Sequence, residues 1–170
     1  DEGFDAAAPW LRLIRNWEDN DASAFGPPLG QLLDEALADE SVRPEALSLI
    51  LASLASLERD PDALAPGLSA RVARLLQHDE LIVQVWAARA LAKVATDAEV
   101  PALSAAMREG EIVTRQEALM ALAWAQGEAA VPAIVEQAKR EPLFTVQTVR
   151  LLHRLKAKEG IAYLEWVEAN

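Results

Sequence analysis

The chain has 170 residues, a net charge of −11 and no cysteine. That length suits one domain with a proper core. The missing thiols exclude disulfides and thiolate metal sites, and the negative charge argues against a basic nucleic-acid-binding surface.

Apolar residues make up 52% of the chain, yet aromatics only 5%. The apolar mass is therefore Ala, Leu and Val, and an all-α fold class follows. The charge is lopsided. Residues 1–80 hold 16 acidic and 6 basic side chains, whereas 81–170 hold 11 and 10. The first half should repel polyanions and keep the protein soluble. No apolar run reaches the roughly 18–20 residues needed to span a bilayer.

In chain order, residues 1–40 predict two helices, Pro9–Trp17 and Pro28–Asp39, joined by the acidic loop Glu18–Pro27. This divergent pair reads as a cap, with Trp10 and Trp17 as plugs. The loop opens like a calcium site, Asp19-Asn20-Asp21. However, Ala24 stands where the turn glycine belongs and Gly30 where a bidentate Glu belongs, so a solvated loop is expected. From residue 41 onward the chain repeats itself. Val100-Pro101-Ala102 aligns with Val131-Pro132-Ala133 at an offset of 31, and the surrounding stretches 79–109 and 110–140 match without a gap. Looser echoes extend the units to 41–78 and 141–170.

A period of this length with two apolar helical stretches per unit marks an α-solenoid of stacked helix pairs. The first helices, A, are expected at 44–58, 81–95, 112–126 and 143–158. The second, B, are expected at 65–77, 99–109, 129–140 and 160–169. Pro44, Pro66, Pro101, Pro132 and Pro142 fall in or near first turns, where a missing N–H costs nothing. Gly127 and Gly160 follow A helices as C-terminal caps. Leu54, Leu91, Leu122 and Leu152 form one core column, and Ile50, Ala87, Ala118 and Thr148 another. Ile50 is large for its column, so the first unit should pack differently there.

The pattern Val85-x-Ala87-Ala88-x-Ala90-Leu91-Ala92 followed by Val100-Pro101-x-Leu103 recurs as Ala118-Leu119-x-Ala121-Leu122-Ala123 and Val131-Pro132-x-Ile134. It resembles HEAT repeats, specifically the short bacterial kind related to phycobilisome-lyase repeats. The resemblance implies a right-handed α-α superhelix of about four to five helix pairs in a single domain. It also implies a scaffold or protein-binding module, with a bilin lyase or isomerase as the enzyme alternative and one segment of a larger solenoid as the structural alternative.

Catalytic constellations are sparse. The two histidines, His78-Asp79 and His153-Arg154, lack the repeated His-Glu pattern of di-iron members of the resembling group. No catalytic residue, metal ligand or cofactor is assigned.

Comparing sister units locates a candidate surface. Trp86 is equivalent to Glu117 and Gln147 but to Leu49 in the loosely aligned first unit, Trp124 to Lys93, Arg154 and Ser56, and Trp166 to Glu136. Residues four apart share a helix face. Trp86, Arg89, Lys93, Met120, Trp124, Arg150 and Arg154 should therefore form a stripe of cations and large apolar groups, extended by Lys158. Trp and Arg are enriched at interface hot spots. Such a stripe suits an acidic or amphipathic protein or peptide partner. The rival surface is the B-helix face, with Ser104, Arg108, Glu136, Lys139 and Arg140. Oligomeric state stays open. Localisation stays open too, with a cytoplasmic protein favoured and an exported mature form the alternative because the chain starts at Asp1.

Overall fold

A computed structural model describes residues 37, 39, 42–56 and 67–170. The expected capping helices, with Trp10 and Trp17, lie outside these residues apart from Leu37 and Asp39, as does Pro66. Among the described residues the structure is an all-α solenoid without strands.

Four A helices alternate with four B helices. The A helices are α1 (Pro44–Ser56), α3 (Leu81–Val94), α5 (Ile112–Gln126) and α7 (Thr145–Leu155). The B helices are α2 (Leu68–Arg74), α4 (Val100–Glu109), α6 (Val131–Arg140) and α8 (Glu159–Ala169). Short 3-10 turns at Asp97–Glu99 and Gly127–Ala130 lead from A into B, and Pro142–Phe144 leads into α7.

Both core columns are buried through all four units. Leu54, Leu91, Leu122 and Leu152 are at most 2% exposed, and Ile50, Ala87, Ala118 and Thr148 at most 3%. Despite its size Ile50 is buried like the rest of its column. The backbone of α1 lies against α3 as closely as α3 lies against α5. Ile50 is buried in the same core cluster as Ala87 and Ala88, which have no side chain beyond Cβ. The looser step comes later, where α7 stands further from α5. There Thr148 replaces alanine in the column, and Phe144, Leu151 and Leu152 fill the core.

Polar side chains tie neighbouring units. Glu99, only 5% exposed, accepts hydrogen bonds from the Thr96 backbone N–H (2.9 Å), the Thr96 hydroxyl (2.8 Å) and the Ser69 hydroxyl of α2 (3.1 Å). Together with Ala98 N–H donating to Thr96 Oγ1, this completes a capping box ahead of α4. Thr114, fully buried on α5, donates to Gln84 Oε1 on α3 at 3.2 Å.

Two expectations about helix ends divide. Gly127 does end α5, with φ +58°, a conformation that favours glycine. Gly160 does not cap α7; it lies inside α8. The left-handed cap of α7 is Lys156, at φ 53°. At Gly160 a β-carbon would stand 3.3 Å from Leu152 Cβ, so the glycine serves close packing of α8 on α7.

The expectation of no membrane-length segment also needs correction. The helical run Ile112–Arg140, 29 residues, is long and apolar enough by composition to cross a bilayer. In this fold it is two helices, α5 and α6, broken at Gly127–Ala130. Its apolar residues Leu119, Leu122, Val131 and Ile134 face the solenoid core.

Candidate protein-interaction face

The A helices place the candidate stripe on one face because its members recur at i, i+3 or i+4 along each helix. On α3 these are Trp86, Arg89 and Lys93; on α5, Met120 and Trp124; on α7, Arg150 and Arg154. Stacking of α1, α3 and α5 turns part of this face into an open groove of about 390 Å³. Four of the seven stripe residues line it: Trp86, Arg89, Met120 and Trp124. Lys93, Arg150 and Arg154 do not. Arg154 reaches it indirectly, its guanidinium lying 4.0 Å from the centre of the Trp124 ring. The eighth member, Lys158, lies exposed just ahead of α8.

The cations are not equivalent. Arg89 donates from Nη2 to Glu117 Oε1 at 2.7 Å and lies 4.8 Å from the Trp86 ring centre. Its pKa is raised above the ordinary guanidinium value, chiefly by the hydrogen bond to Glu117 and further by that carboxylate's charge, against an opposing effect of burial. Arg89 therefore braces a groove wall between α3 and α5 rather than standing open to a partner's carboxylate. Lys93 and Arg150 make no ion pair among the described residues.

Sequence comparison found the walls and missed the floor. Ala52, Ala55 and Ser56 line it from α1 and Ala92 from α3, and Glu117 of α5 completes the lining. Ala52 is equivalent to Arg89, Met120 and Arg150, and Ser56 to Lys93, Trp124 and Arg154. Small residues in the first unit, where sister units carry long ones, leave the depression that Trp86 and Trp124 overlook. A search for small residues among large siblings finds Ala52 and Ser56, but not Ala55 and Ala92, which align with each other and with Ala123.

Trp166 stands apart from the groove. It is half-buried on α8, stacked on Tyr163 at 6.0 Å, with the Lys139 ammonium 5.3 Å from its ring centre. On the B-helix face, Arg140 pairs with Glu136 one turn away on α6.

Comparison with known proteins agrees with this architecture. The family model described as HEAT repeats matches residues 68–153, half of the chain. A search of curated proteins and a search of solved structures each find no match.

Proposed function

The chain belongs to the HEAT-repeat family, and we propose that it is a non-enzymatic interaction module holding a protein or peptide partner on its A-helix face. HEAT repeats commonly mediate protein interactions, which supports the general reading. The specific surface rests on one observation. The groove between α1, α3 and α5 has an alanine floor and two tryptophan walls, one braced by the Arg89–Glu117 ion pair. A wall already held in place loses little side-chain freedom on binding, which favours affinity.

An apolar side chain of the partner would enter between Trp86 and Trp124. Lys93 and Arg150 would meet carboxylates around it, which suits an acidic or amphipathic segment. An extended solenoid face with a shallow groove favours a peptide over a small molecule.

The test is an affinity capture with wild type beside a Trp124→Ala/Arg154→Glu variant of unchanged helical circular dichroism and melting temperature. A protein retained by wild type and lost by the variant supports the reading. Identical captures on both baits reject this face. Unfolding of the variant would assign Trp124 to the core instead. A Met120→Glu substitution then provides the independent check, because Met120 lines the groove from a half-buried position.

A further inference from the structure

A second row of residues crosses the N-terminal ends of the A helices, one turn before the groove, its last member in the 3-10 turn ahead of α7. Ile82, Val113 and Leu143 occupy equivalent positions in three successive units, at offsets of 31 and 30. All three are aliphatic, whereas the first unit carries Glu45 at the equivalent position. Yet the three are 50%, 40% and 64% exposed. Burial therefore does not account for keeping a large aliphatic residue at this position in unit after unit.

Each is preceded by a glutamate two residues earlier: Glu80, Glu111 and Glu141. Glu80 and Glu111 are the N-cap residues of α3 and α5, and neither side chain makes a capping hydrogen bond. Both are exposed, as is Glu109. None of these three makes an ion pair among the described residues. Glu141 differs, being held by Arg115 and Gln137. Favourable interaction with the helix dipole accounts for a carboxylate at a helix N-terminus. It does not account for the exposed aliphatic beside it.

We propose that this edge is a docking surface for a cationic amphipathic helix lying across the stack. Its apolar face would rest on Ile82, Val113 and Leu143, and its lysines or arginines would meet Glu80, Glu109 and Glu111. The spacing fits. Packed helices lie about 8–10 Å apart, so Ile82 and Val113 are separated by roughly that distance. On a partner helix, residues i and i+7 share a face and are about 10.5 Å apart. The chemistry fits as well, since unpaired carboxylates on a chain of net charge −11 draw a cation and the aliphatic row gives it an apolar seat. This surface is separate from the groove, which is flanked by the cations Lys93 and Arg150.

The test is fluorescence anisotropy of the full chain with a labelled Ala/Lys-rich helical peptide of about 20 residues, carrying Leu at i and i+7 to seat on Ile82 and Val113 and a further Leu toward Leu143 across the wider step to α7. A peptide of the same composition with scattered leucines is the control. The matched peptide should bind at least about tenfold tighter than the control. Ile82→Ser/Val113→Ser/Leu143→Ser should lose at least about tenfold of that affinity. Glu80→Lys/Glu111→Lys should do the same; it alters only exposed side chains and so stands in if the triple variant misfolds. Trp124→Ala should bind the peptide like wild type, which separates this surface from the groove.

Equal binding of the two peptides would overturn the proposal, leaving only unspecific charge attraction. No binding of the matched peptide, or unchanged binding by both row variants, would also overturn it. So would a wild-type dimer in light scattering that the triple substitution makes monomeric, because the row would then join two copies of this chain.

Discussion

The ion pair that braces the groove can be weighed by a double-mutant cycle of Arg89→Met, Glu117→Gln and the combination. The pair closes at 2.7 Å with side-chain exposures of 41% and 22%, so solvent screens it in part. Exposed pairs are worth about 0.2–1 kcal/mol, and this one should couple near the top of that range, at about 1 kcal/mol. Arg89→Met alone also loses the stacking on Trp86, so it should cost about 1–2 kcal/mol. Glu117→Gln should cost less, because the amide oxygen still accepts a hydrogen bond. Urea unfolding near neutral pH measures all four states, and the coupling should shrink in about 1 M salt. Arg89's pKa is raised in the fold, so its contribution is complete below the unfolded value and is lost only as pH climbs past the folded one. On the arginine side the coupling should therefore stay flat between about pH 6 and 10. A coupling below about 0.3 kcal/mol would refute the reasoning. Arg89 would then be a mobile surface cation, and the groove wall would have no brace.

Three further perturbations test the scaffold that carries this face. Glu99→Ala removes three hydrogen bonds from a buried carboxylate and should cost about 2–4 kcal/mol in denaturant unfolding; a loss below about 0.5 kcal/mol would mean the link from α2 to the capping box contributes nothing measurable. Thr148→Val replaces by a methyl a buried hydroxyl with no partner among the described residues, so it should raise stability by about 1 kcal/mol, and the melting temperature by about 2–4 °C. Destabilisation in a thermal melt would show that the hydroxyl is satisfied. Gly127→Ala should cost about 1–3 kcal/mol from backbone strain alone, because a β-carbon there meets nothing within 4 Å. An unchanged melting temperature would show that the turn relaxes without cost.

Helices and core were legible because a repeat supplies its own alignment. Leu91 and Leu122 define a register, and Leu54 and Leu152 follow at their offsets, all buried. Helix ends were less legible. Gly160 and Lys156 are four residues apart where α7 gives way to α8 within one unit, and glycine is the usual residue for a left-handed turn. Here the tight approach to Leu152 Cβ takes the glycine and leaves the turn to lysine, a tertiary requirement that local sequence does not carry. The groove was half legible. Its tryptophans announce themselves against polar siblings, whereas Ala52 and Ala55 gain meaning only once α1 is laid against α3.

The exposed row was the hardest to read, for a reason specific to solenoids. An A helix is flanked by other A helices on both sides and by B helices beneath, so most of its circumference is apolar and period alone cannot say which stripe faces water. On α3, Val83, Val85, Ala87, Ala88, Ala90 and Leu91 are all buried, and Ile82 sits among them in sequence while standing half in solvent. An aliphatic residue shared by several sister units therefore carries two meanings. Where coordinates bury it, as at Leu91 and Leu122, it holds the stack. Where they leave it open, as at Ile82, Val113 and Leu143, the stack does not need it. Removing those three side chains should then leave the melting temperature within about 1–2 °C of wild type, whereas Leu91→Ala alone should lower stability by about 2–5 kcal/mol. A large loss from the exposed triple would assign the row to folding and withdraw the docking surface with it.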